Sequence, residues 1–583
     1  LNLTDYGWNT VQAITQKQPN EIKFLIDTLE YPRLDRDSFG YVIRACQPAR
    51  PRENLLSLHG MFFDDDASGR TSLWRMFRAS LYHLCLHARY TDYSFYGEDA
   101  DDSQVSNSIF AISLVEDYVI RGFMRASWPG LVLDTAYANQ LCALRIREMT
   151  EYEDIATRLA TNLLSSYMIG KSVAPLSIPI SNQLRGICEG LKSLDDLAFR
   201  FAKSRSDKSI SDYEELSVEL VRGRRHATRR VLSLFAKHSA VLLKVPSIPY
   251  TDNYGISSIF ESMIVNSELN QQTDFLELAL KELSTRISTK RLEEESAATM
   301  TESQNILTDW GYSLERKQDL LEIFKQIDTH SHFQEYVFPL DDYGEFVRTR
   351  SRLIGPIRLI LDQLRMIKTA NDEVKGKESG YVDIPLAIQV LAAKSQRNDV
   401  FVQDELDNRS EAWTILVDSS KSLENIQGRV RDVTICLTEV AKELIQNSYS
   451  WACYAFNEKL YVVKDFAELY GNECRGRIGG LPTGIRTFLP DALRLAAKRL
   501  ANCTEEIKVI LLASDGYPLG YDGIDEELLE VIDQVSKSGI NLIGLGVGSS
   551  LIQKYFRTNC IINSPSDLMK NFVKIYMEFA STI

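Results

Sequence analysis

Residues 413–425 read "WTILVDSSKSLEN". The first five suit a strand buried on both faces, because parallel strands covered by helices on either side read as nearly continuous apolar runs. The run then delivers an acid, Asp418, and three hydroxyls, Ser419, Ser420 and Ser422. A strand that ends in so much oxygen has reached a place where polar ligation is needed. In open α/β sheets that place lies outside the carboxyl ends of the strands, near the point where strand order reverses.

Working outward, short β-rich runs ("SWACYAF", "LYVVKDF", "KVILLASDG", "INLIGLGVG") alternate with helical stretches such as "DALRLAAKRLA" and "DEELLEVIDQVSK". Parallel strands require crossovers, so this alternation predicts a doubly wound, Rossmann-like α/β domain over residues 411–583. A second strand ends in Asp515-Gly516, which places another carboxylate at the same edge. Between the two, "GGLPTGIRTFLPDALRLAAKRL" carries Thr487 just ahead of a helix with Pro490 in its first turn.

Two carboxylates with several hydroxyls and no soft ligand form the donor set of a small hard cation, Mg²⁺ or Mn²⁺, and not of zinc. The bland alternative is that Asp418 and its serines cap the following helix. The ordered trio resembles the metal-ion-dependent adhesion site of von Willebrand factor A domains. That resemblance implies that Asp418, Ser420 and Ser422 carry the first motif, Thr487 the second and Asp515 the third, with an acidic side chain of a partner completing the shell. Pro490 departs from the glycine of the pattern T-x-x-G-x-A-L, whereas Ala492 and Leu493 keep their places; Thr483 is a rival for the threonine role.

The first 370 residues read as mostly helical, with apolar residues spaced by three and four in "SLWRMFRASLYHLCLHARY", "FLELALKELSTRISTKRL" and "IGPIRLILDQLRMIK". Polar breaks at 96–108, 204–211, 244–255 and 371–380 suggest a multidomain chain. The expected parts are a helical N-terminal domain over 1–150, a helical middle region over 151–370, a linker over 371–410 and the α/β domain beyond it.

The net charge of −14 over 583 residues speaks against a general nucleic-acid binder. The basic stretch "RGRRHATRR", Arg222–Arg230, reads as a solvated helix face. No apolar run approaches the length of a membrane helix, so no membrane insertion is expected. Nine scattered cysteines without a CxxC pair suit reduced thiols in a cytoplasmic protein.

"SLVEDYVIRGFMRASWPGL" at residues 113–131 resembles a segment of the NorD/CbbO family, as do the approach to the first strand from Tyr381 and the helix "DYGEFVRTRSRLIGPIRLILDQLRM". These are cytosolic proteins with a helical N-terminal region and a C-terminal von Willebrand factor A domain. The resemblance implies a non-catalytic adaptor. Its N-terminal part would dock on a MoxR-type AAA+ ATPase hexamer, and its C-terminal domain would recognise a client such as ribulose bisphosphate carboxylase or nitric oxide reductase. The chain has no G-x-x-x-x-G-K-[ST], so any ATP chemistry belongs to a partner.

His83 and His87 stand at i and i+4, the spacing that aims two imidazoles from one helical face toward zinc, with Glu116 or Asp117 as a third ligand. Leu84 occupies the position where H-E-x-x-H has its general base, which argues against a peptidase. The histidines therefore read either as packed core residues or as a metal site without hydrolytic activity. An extracellular adhesion protein using the same cation chemistry is a further alternative.

Overall fold

The computed structural model describes residues 2–19, 21–37, 40–91, 105–148, 154–207, 210–252, 259–265, 289–327, 331–370, 373–378, 381–393, 395, 397–404, 410–445 and 447–582. The chain divides into two compact units, Leu1–Glu315 and Arg316–Ile583, and the division falls inside the helix Thr289–Ile327.

The first unit is helix-rich: α1 (Leu3–Thr15), α2 (Ala67–Tyr90), α3 (Val105–Ser127), α4 (Val132–Ala143), α5 (Ile155–Ile169), α6 (Ile178–Asp207) and α7 (Ile210–Lys237). It also holds strands that a purely helical reading does not anticipate. These are β1 (Ile22–Asp27), β2 (Arg33–Asp37), β3 (Gly40–Cys46), β4 (Ala49–Arg52), β5 (Leu55–Leu58), β6 (Met61–Asp64) and β7 (Met263–Val265). They form two small sheets, ordered β1-β3-β2 and β4-β5-β6-β7. The strands are short, and Met61 pairs with Met263, a partner no local window contains.

α2 is buried along almost its whole length, charged residues included. Arg75 and Arg78 both reach the buried Asp134 of α4, at 2.7 and 2.9 Å, which compensates the cost of taking them out of water. The basic stretch on α7 is only partly a solvated face. Arg224 is buried beside Glu116, while Arg222 and Arg230 line a cavity of about 510 Å³ with Leu191, Leu194 and Leu197 of α6.

In the second unit, β8 (Tyr336–Val337), β12 (Glu411–Asp418), β13 (Trp451–Phe456), β14 (Leu460–Lys464), β15 (Ile507–Ser514), β16 (Ile540–Val547) and β17 (Asn559–Ile562) build one sheet. Its order is β17-β16-β15-β12-β13-β14-β8, and only β13 and β14 pair antiparallel. Alternate residues of β12 feed opposite cores, Trp413, Ile415 and Val417 on one face and Ala412 and Leu416 on the other. This two-sided burial explains the unbroken apolar run. From β12 the chain proceeds to β13 and β14 on one side and returns to β15 and β16 on the other, so strand order reverses at the β12–β15 seam.

Residues 371–410, expected to be a linker, carry instead β9 (Glu373–Lys377), β10 (Tyr381–Val382), the helix Ile384–Ala392 and β11 (Phe401–Asp404), with sheet order β10-β11-β9. Polar composition hides these strands, whose pairing is antiparallel across the intervening helix. Residues 275–288 of the helical stretch noted above, and residues 96–104 of the first polar break, lie outside the described residues. Val105–Ser108, the remainder of that break, already belong to α3. Among the described residues no helix is long and apolar enough to cross a membrane.

Candidate functional site

The seam between β12 and β15 brings the C-terminal ends of the two strands side by side, with Val417 in register with Ala513. Asp418 and Ser514 are the next residues on each. Asp418 is fully buried; its Oδ1 accepts a hydrogen bond from the Ser420 backbone N–H at 2.9 Å and its Oδ2 accepts from the Ser514 hydroxyl at 2.6 Å. The Ser420 and Ser422 hydroxyls lie 2.8 Å apart. Ser419 faces the other way and binds the Phe456 carbonyl.

Burial, and after it the Asp515 carboxylate, pushes the Asp418 carboxyl up to about 7, against the pull of its hydrogen bonds from Ser514 and Ser420. Asp515 follows at once and closes a tight turn by accepting from the Tyr517 N–H at 3.0 Å. Gly516 allows that turn with φ +78°, and its N–H donates to Ser514 Oγ at 3.0 Å. Asp418 and Ser420 are buried, Asp515 is half-buried and Ser422 is exposed, so the oxygen cluster runs from the strand end to the surface. That donor set fits a hard divalent ion.

The loop between the helix Asn472–Gly479 and the helix Leu489–Ala501 closes over this edge. Gly484 pairs with Ser420 and donates its N–H to the Ser419 carbonyl at 2.9 Å. A Cβ there would stand 2.3 Å from Asn457 Nδ2 and 2.4 Å from Glu458 Oε2, so any larger residue would displace the side chains that brace the loop. Glu458 in turn accepts from the N–H groups of Ile485 and Arg486 at 2.8 and 3.2 Å. Thr487 is buried, and its N–H donates to the Leu519 carbonyl at 2.7 Å, which ties the threonine loop to the loop begun by Asp515. Thr483, its rival in the sequence, lines a cavity of about 20 Å³ with Asp418, Ser419 and Ser420. Both threonines therefore lie on loops that close this edge.

Sequence reasoning missed Ser514, Asn457 and Glu458. Ser514 had a visible signal, since it immediately precedes Asp515. Asn457 and Glu458 had none, because their role is to brace a loop that is distant in the chain.

In the first unit His83, His87 and Asp117 meet, and all three are buried. Glu116 does not join them, which corrects its candidacy as third ligand. Successive helical residues point about 100° apart, and Glu116 is directed to Arg224, with 3.4 Å between Oε1 and Nε.

The family model for the von Willebrand factor A domain of cobalamin biosynthesis protein CobT matches residues 488–580. Protein NorD of Stutzerimonas stutzeri is 33% identical over 134 residues, 21% of this chain and 22% of that protein. An uncharacterized protein of Pseudomonas aeruginosa is 30% identical over 159 residues, 24% of this chain and 26% of that protein. The matched part thus spans about a quarter of the length of these curated relatives.

Proposed function

We propose that this chain, a NorD-like protein with a C-terminal von Willebrand factor A domain, is a non-catalytic adaptor that grips a client enzyme through a divalent cation. Asp418, Ser420, Ser422, Thr487 and Asp515 would hold Mg²⁺ or Mn²⁺, and an acidic side chain of the client would complete its shell. The observation that carries this reading is the Asp418 carboxyl, fully buried at the strand end, raised by burial and by the Asp515 carboxylate, and held by the Ser420 N–H and the Ser514 hydroxyl.

An ion there would supply positive charge to the buried Asp418 carboxyl and its neighbour Asp515. The chain's own part is to hold the oxygens in place: β12 fixes Asp418, the Gly484 loop fixes Ser420, and Ser514 orients the buried carboxylate. Such a site favours attachment, since a carboxylate arriving at the cation gains charge stabilisation and must approach along one direction. The helix-rich first unit would dock on a MoxR-type AAA+ hexamer in the cytoplasm, and the pair would activate or mature the client. The partial likeness to Protein NorD supports placing this chain with NorD-like proteins.

The test uses the full chain, with Mn²⁺ binding followed by electron paramagnetic resonance and capture of a MoxR-type ATPase followed by co-purification. Asp418→Ala should lose Mn²⁺ binding and client activation while retaining the ATPase. Unchanged Mn²⁺ binding, or full client activation by the variant, would overturn the reading.

A further inference from the structure

Two helices of the first unit bring three ligand atoms to one point. His83 and His87 project from successive turns of α2, and Asp117 comes from α3. His87 Nε2 lies 3.0 Å from His83 Nε2 and 3.0 Å from Asp117 Oδ1, and His83 Nε2 lies 3.4 Å from the same oxygen. Three hydrogen bonds cannot satisfy this triangle. A neutral imidazole has one N–H; in the tautomer whose His87 Nδ1–H donates to Thr91 Oγ1 at 2.9 Å, Nε2 is a lone pair facing another nitrogen and a carboxylate oxygen. Mutual repulsion between such atoms is relieved by a cation at their centre.

The dimensions suit zinc. Ligands at about 2.0–2.1 Å in a tetrahedron stand about 3.3–3.4 Å from one another, close to the three sides observed. The point equidistant from the three atoms lies about 1.8 Å from each, so an ion at normal bond length would sit about 1 Å above their plane. Beside the triangle, His87 and Asp117 line a cavity of about 20 Å³ together with Ser247, Thr251 and Asp252. That volume has room for water beside the ligand atoms.

We infer that His83, His87 and Asp117 form a tetrahedral Zn²⁺ site whose fourth ligand is a water. Two imidazoles and one carboxylate also suit Fe²⁺, and metal analysis distinguishes the two ions. With Leu84 at the position of a general base, the ion acts as a clamp between α2 and α3 rather than as a hydrolytic centre. The Thr91 hydroxyl is a positioning group, since its bond to Nδ1 selects Nε2 for ligation.

Metal analysis of the full chain purified without chelator tests this. The wild type should carry about one zinc per chain, as should Asp418→Ala, whereas Asp117→Asn and His83→Asn should carry none. Because either substitution in a buried site could impair folding, the native chain provides an independent measurement. X-ray absorption at the zinc edge should show imidazole and oxygen scattering with no sulfur. After zinc removal, Co²⁺ should produce the intense visible bands of a tetrahedral ion. A chain that carries no zinc and takes up no Co²⁺, zinc retained in full by Asp117→Asn, or a sulfur shell from the cysteines would each overturn the assignment. The first of these results would leave a hydrogen-bonded triad only.

Discussion

Replacing Asp418 with Asn should stabilise the second unit in the absence of divalent ions while abolishing its response to them. The folded protein holds this carboxyl at about 7 against an ordinary value of 3.8, first through burial and then through Asp515. A raised carboxyl binds its proton more tightly in the folded state, so the stability it contributes is complete below about pH 4 and is lost as pH rises through about 7. At about 1.4 kcal/mol per unit, the loss approaches about 4 kcal/mol above neutrality. An amide does not ionise and escapes it. Asn still offers an oxygen to the Ser420 N–H, and the hydroxyl of Ser514 can turn to accept, so part of that gain should survive, about 2–4 kcal/mol. Urea unfolding of the full chain with chelator, at about pH 5 and pH 8, would read this from the transition of the second unit. Mg²⁺ should stabilise the parent at the higher pH and leave the variant unchanged. A variant no more stable than its parent at the higher pH, or equal Mg²⁺ stabilisation of both, would refute the charge argument.

Ser514→Ala removes the hydroxyl that donates to Asp418 Oδ2; Mn²⁺ titration should show weaker binding with the fold intact by circular dichroism. Asp465 is fully buried and receives the Tyr454 hydroxyl at 2.6 Å and the partly buried Arg499 at 2.5 Å, so Asp465→Ala should cost the second unit about 2–4 kcal/mol in urea unfolding, because it leaves a buried hydroxyl and a partly buried guanidinium without this partner. Burial, with Arg145 nearby, lowers His59 from 6.5 to about 3. The unfolded chain therefore takes up a proton that the folded one refuses, and the His59 contribution, full above about pH 6.5, is lost as pH falls toward 3. His59→Asn should flatten the acid limb of the first unit's stability profile; Asn tolerates the left-handed backbone of this position, φ 52°.

The α/β domain was legible in the sequence because its signals are local. A strand buried on both faces must be apolar throughout, and Asp418 and Asp515 each terminate such a run. The spacing of His83 and His87 was likewise sufficient to place both imidazoles on one face of α2. Pairing over distance was not legible. The strands between residues 22 and 64 and the small sheet at 373–404 are short and polar at their ends, and Met61 finds its partner only at Met263.

What the sequence determined by itself, then, was composition along each element: which strands are buried and which residue stands at each strand end or helix face. The tertiary structure alone decided which groups share a point in space. Asp117 meets the histidines while its neighbour Glu116 turns to Arg224, because one residue along a helix is a rotation of about 100° and only the packing of α2, α3 and α7 selects the direction. In the same way strand order placed Ser514 against Asp418, since two ends distant in the chain become neighbours only when the strands between them are laid to the other side.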